Sequence, residues 1–276
     1  LPEGRCWRII HRLMGERLDR PVTLARRQGL SPTCFALELA TEEPIHAQPG
    51  QFAMVGLVGG YDPLLRRPFS VAGVRQEGGR FLVELLVKEV GKTTSLLRRL
   101  PVGSSLRLLA PLGEGFHLER CGPRPALVAG GIGLPPVLFA AQVLACRGVA
   151  FDFFFGAATQ EELLLRERLA ALTTGELVLC TDDGSFGEPG FVTEALRRRG
   201  GQGYSRLFAC GPTPMLRAVA RLARSLGLPA ELSLEEPMAC GVGVCLGCVV
   251  RLADGSYVPS CKQGPVFPVE ALGEGW

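Results

Sequence analysis

The chain has few of the residues that carry out acid–base or single-metal chemistry. Its three histidines, His11, His46 and His117, lie far apart with no clustering, so they read as surface or structural groups rather than as a general base. No block of one charge is present either. The 30 Lys+Arg and 27 Asp+Glu are scattered, and the longest basic runs, at 197–199 and 98–99, fall at the ends of expected helices. Nothing therefore marks a nucleic-acid surface. No stretch reaches transmembrane length free of charge, and the opening LPEGRCWRII lacks the basic start and long apolar run of a secretion signal. The expectation is a cytoplasmic protein with no membrane attachment. The G-x-G-x-x-G dinucleotide fingerprint is missing, as are internal repeats and low-complexity tracts. The carboxylate pair Asp182-Asp183 before Gly184 has no further ligands for a metal; it is expected to shape a pocket or contact a ribose.

Cysteine, by contrast, is plentiful: ten in 276 residues. Four of them, Cys240, Cys245, Cys248 and Cys261, form a C-x4-C-x2-C-x12-C array, the plant-type spacing of a 2Fe-2S cluster. Gly241, Gly243 and Gly247 lie between the first three, where backbone freedom lets N–H groups turn toward anionic sulfur. The alternative is zinc, but zinc ribbons pair two C-x2-C knuckles and this chain has one. In a reducing compartment Cys6, Cys34, Cys121, Cys146 and Cys180 read as small buried apolar residues.

The patterning changes near residue 120. From Trp7 to about Leu109, short β-type stretches (34–40, 51–57, 69–74, 81–87, 105–110) are separated by Gly and Pro, the rhythm of a small antiparallel barrel. From Arg124 onward apolar strands alternate with helical runs: 126–129 then 134–146, 151–155 then 160–169, 177–180 then 191–199, 207–210 then 214–226. That βα repeat implies a parallel sheet with ligands at the strand C-terminal ends. After Pro229 the periodicity fades into the cysteine segment. The expected division is 1–118, 119–228 and 229–276: an all-β barrel, an α/β unit and a small cluster-bearing module.

Four strings carry candidate chemistry. Arg66-Arg67-Pro68-Phe69-Ser70 can set a guanidinium on a phosphate beside a ring and a hydroxyl; alone it equally fits a strand start. Gly91-Lys92-Thr93-Thr94 precedes a helical run (95–100), where N–H groups and hydroxyls suit a pyrophosphate, although Thr93 or Thr94 can be a plain helix cap. Val128-Ala129-Gly130-Gly131-Ile132-Gly133-Leu134-Pro135-Pro136 runs from strand to helix with glycines that let a dinucleotide approach. Phe208-Ala209-Cys210-Gly211-Pro212-Thr213-Pro214-Met215 repeats that turn and would put Cys210 beside a nicotinamide; a plain βα turn with a buried thiol is the alternative.

In this order the four strings resemble the ferredoxin-NADP reductase superfamily, which joins an FAD-binding barrel to a pyridine-nucleotide domain. Pro111-Leu112-Gly113-Glu114-Gly115-Phe116, Thr181-Asp182-Asp183-Gly184-Ser185-Phe186-Gly187, and Cys261 leading into Gly264-Pro265-Val266-Phe267 narrow the likeness. With the cysteine array, they look like the electron-transfer subunit of the NAD-dependent, two-protein type of dihydroorotate dehydrogenase. The resemblance implies FAD in the barrel, NADH in the second domain, a 2Fe-2S cluster held by Cys240, Cys245, Cys248 and Cys261, and a separate FMN-containing catalytic subunit, joined as a heterotetramer, that makes orotate for pyrimidine synthesis. It implies FAD contacts from Arg67, Pro68, Phe69, Ser70, Val87, Lys88, Glu89, Thr93 and Thr94, and nucleotide contacts near Gly130, Gly131, Gly133 and Cys210. The chain departs from the family at two of these positions: Thr93 replaces the usual glycine, and Val87 replaces a common aromatic. The stretch Gly156-Ala157-Ala158-Thr159 lacks an arginine for a 2′-phosphate, which favours NADH over NADPH.

A flavin is the required converter in such a chain, because NADH gives two electrons at once and a 2Fe-2S cluster accepts one. Two other readings share some of these features. One is an NAD(P)H-linked flavin and iron–sulfur subunit acting on ferredoxin or sulfur compounds. The other is a zinc-stabilised interaction module on a degenerate reductase scaffold.

Overall fold

The computed structural model describes residues 18–59, 62–200 and 203–273; Cys6, Trp7 and His11 lie outside them. Six strands, β1 (Leu18–Gly29), β2 (Cys34–Thr41), β3 (Phe52–Leu57), β4 (Arg67–Glu77), β5 (Arg80–Lys88) and, after helix α1 (Lys92–Arg99), β6 (Ser105–Leu112), close into an antiparallel barrel of order β1-β2-β5-β4-β3-β6. Alternation explains it. Phe35, Leu37 and Leu39 on β2 and Val83, Leu85 and Val87 on β5 fill the barrel, while the residues between them point outward. Strand β1 was not expected from its sequence, LDRPVTLARRQG, which is charged and holds a proline. It forms because Val22 and Leu24 enter the barrel core, each worth about 1.5–3 kcal/mol of burial.

The outward faces are also used. Cys34, Ala36, Ala72 and Leu86 pack in one apolar group with Leu134, Val137, Leu138, Ala140 and Ala141, from the helix that follows β7 (Ala126–Gly130), namely α2 (Leu134–Cys146). The chain then runs through β8 (Asp152–Ala157), α3 (Arg166–Leu172), β9 (Leu177–Thr181), β10 (Glu188–Pro189), α4 (Val192–Arg198), β11 (Leu207–Cys210), α5 (Thr213–Leu226) and β12 (Ala230–Ser233). The expected helix over 160–169 is broken: a 3-10 turn at Gln160–Glu162 is followed by buried Leu163 and Leu164 and by Leu165 at φ 55° before α3 begins.

The cysteine segment contains the hairpin β13 (Val249–Arg251) and β14 (Tyr257–Pro259), the short helix α6 (Ser260–Gln263) and β15 (Val266–Pro268). It does not stand apart from the sheet. The seven-stranded order β10-β9-β8-β7-β11-β12-β15 is parallel as far as β12, and β15 returns antiparallel with Ser233 opposite Val266. Among the described residues no helix is long and apolar enough to cross a membrane. Of the cysteines expected to be buried, Cys34, Cys121 and Cys180 are so; Cys146 is not. It is exposed at the end of α2 and disulfide-bonded.

The turns after β7 and β11 interlock. A Cβ added to Gly133 would lie 2.5 Å from the Cys210 carbonyl oxygen and from the Gly211 nitrogen, both backbone atoms that cannot swing aside. Gly133→Ala should therefore overpack the junction at about 1–3 kcal/mol, lowering Tm by several degrees in differential scanning calorimetry. An unchanged Tm would show slack between the two turns.

Candidate functional site

A pocket of about 620 Å³ opens where barrel, sheet and cysteine segment meet, within the size range of cofactor sites. The barrel supplies Phe52, Arg67, Pro68, Phe69, Ser70, Leu86 and Lys88, and the turn into α1 supplies Gly91, Lys92, Thr93 and Thr94. Ile132 and Pro135 come from the β7–α2 turn, and Ser233 to Met238 with Pro265 close the far side. Three cations, Arg67, Lys88 and Lys92, stand on the barrel side. Glu235 and Glu236 stand opposite, and the protein mass around each raises its carboxyl pKa.

The two threonines divide their work. Thr94 Oγ1 accepts from the Val90 and Gly91 N–H groups, both at 3.0 Å, and donates to the Gly91 carbonyl at 2.8 Å, so it is the helix cap. Thr93 is among the residues lining the pocket, and its Oγ1 is buried with no partner. An orphaned hydroxyl at a helix start is a donor waiting for an anion, which fits the pyrophosphate of FAD. Arg67 is anchored nearby, with Nη1 donating to the Leu65 and Arg66 carbonyls at 2.7 and 3.2 Å.

Two residues expected at the flavin do not face the pocket. Val87 is fully buried inside the barrel, because the strand parity that turns Leu86 and Lys88 outward turns Val87 inward. It is absent from the pocket lining, and an aromatic side chain at this position would enter the barrel core. Glu89 faces away, 3.3 Å from Arg98, and its N–H donates to the Thr33 carbonyl.

The nucleotide-side glycines also separate. Gly130 packs against Met215 and Pro212, and Gly133 against Cys210 and Gly211, so both are fixed by turn-to-turn contact. Gly131, at φ +50°, has open space in front of it and is the one a ligand can approach. Cys210 does not line the pocket; it is buried, and burial, helped by Glu235, pushes its thiol pKa up, which keeps it neutral. Its register partner Ser233 does line the pocket. At the ends of β8 and β9, Asp183 accepts from the Ser185 N–H and hydroxyl (3.0 and 2.6 Å), and Ser185 Oγ accepts from the Gln160 N–H at 2.9 Å. Asp183 thus builds the turn, while Asp182 stands exposed beside it. His46 is exposed and His117 is tied to Glu231, its N–H donating at 2.8 Å.

The four cysteines of the array form a loop closed by backbone donors. Val242 and Cys245 N–H groups reach Cys240 Sγ at 3.4 Å, Gly243 N–H reaches Cys261 Sγ at 3.0 Å, and Cys261 N–H reaches Cys248 Sγ at 3.4 Å. N–H groups aimed at sulfur favour thiolate. Burial raises the Cys240 pKa, but the Cys245 and Val242 donors outweigh it and bring the thiol to about 6. Among the described residues no three His, Cys, Asp or Glu converge as a single ion would need; a two-iron core takes two thiolates per iron. Gly241, at φ +71°, lets the loop lie on the barrel, since a Cβ there would meet Met54 Cγ at 2.6 Å.

Sequence reasoning missed the pocket's far wall. Leu234, Glu235, Glu236 and Met238 lie in a stretch without periodicity that read as part of the cluster module, and only the return of β12 and β15 to the sheet brings it over the pocket.

A flavin-sized pocket on a barrel, a βα sheet with an open glycine turn and a donor-lined cysteine loop define the class: a pyridine-nucleotide-linked flavin and iron–sulfur oxidoreductase. Profiles of known families agree. The oxidoreductase FAD-binding domain matches residues 21–117, the oxidoreductase NAD-binding domain 127–221, and the iron–sulfur cluster binding domain of dihydroorotate dehydrogenase B 235–273. The dihydroorotate dehydrogenase B (NAD(+)) electron transfer subunit of Bacillus caldolyticus is 42% identical over 224 residues, 80% of this chain and 84% of that one. That of Shouchella clausii is 37% identical over 254 residues, 90% and 95% of the two chains. The chain belongs to this family of electron transfer subunits. A solved NADH-dependent reduced ferredoxin-NADP oxidoreductase shares its fold at TM-score 0.80 and 28% identity, covering 94% of this chain and 91% of that one.

Replacing Thr93 by valine should act in opposite directions with and without cofactor. Removing a buried unpaired hydroxyl relieves about 1–3 kcal/mol, so the Tm of the FAD-free protein should hold or rise. FAD affinity should fall about tenfold, or ~1.4 kcal/mol, in a fluorescence titration; unchanged affinity would take Thr93 out of the site.

Proposed function

We propose that the chain takes electrons from NADH into FAD bound in the 620 Å³ pocket, passes them to a 2Fe-2S cluster on Cys240, Cys245, Cys248 and Cys261, and delivers them to an FMN-containing catalytic subunit that oxidises dihydroorotate to orotate. The division into residues 1–118 for FAD, 119–228 for NAD and 229–276 for the cluster, a cytoplasmic setting and a heterotetrameric complex belong to the same reading. The flavin, when bound, supplies the change from two-electron to one-electron transfer. The protein holds and shields it. Arg67 and Thr93, with the N–H groups opening α1, take the phosphates; Ser70 borders the ring; Gly131 admits the nucleotide opposite.

One observation carries the reading. Phe52 and Met238 line the pocket and also pack in one apolar group with Cys248 and Cys261, so one continuous apolar group runs from the cofactor pocket to two of the cluster ligands.

The cluster loop itself exposes apolar side chains. Val244 is 79% and Leu246 58% exposed, and Leu246 holds φ 56°. A left-handed leucine costs about 1–2 kcal/mol, and its exposure adds more, which suits a contact residue at the exit to the catalytic subunit. Likeness to the NADH-dependent ferredoxin-NADP oxidoreductase keeps a second reading in view, a subunit serving ferredoxin. NADPH preference with ferredoxin reduction would select it, and co-purification with an FMN protein that forms orotate would select the first.

The deciding experiment is an anaerobic titration of the iron-replete protein with NADH, following flavin and cluster absorption together. Both should bleach; a colourless, zinc-loaded protein would overturn the reading. In Cys248→Ser the cluster and transfer to the partner should be lost while NADH still bleaches the flavin, and loss of FAD as well would show that the two sites depend on each other. Leu246→Glu should weaken assembly with the catalytic subunit at least tenfold in analytical ultracentrifugation while both cofactors stay bound. Full assembly would place the contact elsewhere.

A further inference from the structure

The barrel and α2 meet through an apolar contact that includes Leu86, Leu134 and Val137; Phe139 of α2 packs into the barrel core, and Gln142 Nε2 donates to the Ala72 carbonyl at 2.9 Å. Beyond this contact, at its polar rim, two ion pairs tie the barrel to the segment that follows β8. Arg168, in α3, donates from Nη1 and Nη2 to the two carboxylate oxygens of Glu84 on β5 at 2.6 and 2.8 Å. Glu84 is 12% and Arg168 34% exposed. Four residues along the same strand, Lys88 Nζ donates to Glu162 Oε1 at 3.0 Å. Glu84, Leu86 and Lys88 share the outward face of β5, and Leu86 and Lys88 line the cofactor pocket.

The other ends of these two ion pairs belong to one short segment. Gln160, two residues before Glu162, donates its N–H to Ser185 Oγ in the β9 turn, and Arg166, two before Arg168, lies 4.4 Å above the Phe186 ring. Residues 160–168 therefore join the flavin wall on one side to the nucleotide edge of β8 and β9 on the other.

We propose that Arg168 is a positioning residue for hydride transfer, its two-point bond to Glu84 fixing the angle between the flavin wall and the nucleotide edge. This rests on the NADH-to-FAD reading above. The step moves one hydride, two electrons with one proton, from C4 of the reduced nicotinamide to N5 of the flavin: the C–H bond breaks, the N–H bond forms, and NAD+ and the reduced flavin anion result. Such a step needs donor and acceptor about 3–3.5 Å apart, and a misplacement of about 1 Å costs on the order of 100-fold. A planar guanidinium on a carboxylate fixes direction as well as distance; an ammonium fixes distance only.

Stopped-flow reduction of the FAD- and iron-loaded Arg168→Met protein by saturating NADH tests this. FAD content and cluster absorption should be normal and the Kd for NAD+ within threefold of wild type. The long-wavelength charge-transfer band of stacked nicotinamide and flavin should weaken, and the bleaching rate should fall at least tenfold. Arg168→Lys should fall in between, and the exchanged pair Glu84→Arg with Arg168→Glu should regain most of the rate. Wild-type rate and charge-transfer band in Arg168→Met overturn the proposal. So does a slow variant that has lost FAD or NAD+ affinity and is not restored by the exchange, since the pair is then merely structural. If Arg168→Met does not fold, a wild-type rate in Arg168→Lys overturns it. A wild-type flavin that NADH does not bleach removes the underlying reading and this inference with it.

Discussion

Strand parity in the barrel is the constraint on which the other arrangements depend. Because successive side chains face opposite ways, one set of strands fills its own core with Phe35, Leu37, Val83, Leu85 and Val87 and still has a second set to spend outside. That second set is divided by position around the barrel. On β2, β4 and β5 it meets α2; on β3 and β6, Phe52, Met54 and Leu112 meet the cysteine loop. The cofactor pocket opens between these two contacts, so a rigid closed sheet places all three sites at once.

Charge is arranged around that frame with a clear asymmetry. The cations of the pocket stand by the start of α1, where unpaired N–H groups add to them, and the carboxylates of Glu235 and Glu236 stand by the far wall, where the surrounding protein raises their pKa. A ligand with an anionic middle and a polar heterocyclic end is matched along its length. The cluster loop uses the same means on a smaller scale, directing backbone N–H groups at sulfur.

Much of this was legible in the sequence. Where one physical rule acts alone, as in the α2 run 134–146 or the β11 run 207–210, boundaries read from periodicity coincide with the elements found. Where rules compete, they do not. Charged β1 is a strand because its neighbours on both sides need one, and the 160–169 run loses its helix to the burial of Leu163 and Leu164 and to the ion pairs on either side. Local strings located the barrel wall of the pocket, the capping turn and the cysteines. They did not reveal that Val87 points inward, that Gly133 answers to Cys210 and Gly211 more than to a ligand, or that residues 234–238 lie over the pocket, since each of these depends on a partner distant in sequence.

The return of β15 beside β12 has a topological meaning. Ser233 and Val266 are opposite one another in adjacent strands, so everything between them, the cysteine loop included, is an excursion that leaves and re-enters the sheet at nearly the same point. A tight turn joining those two strands would close the sheet without it. The iron-binding part is thus a cassette hung on a hairpin, one that a flavin reductase can acquire, exchange or discard without re-threading the rest of its chain.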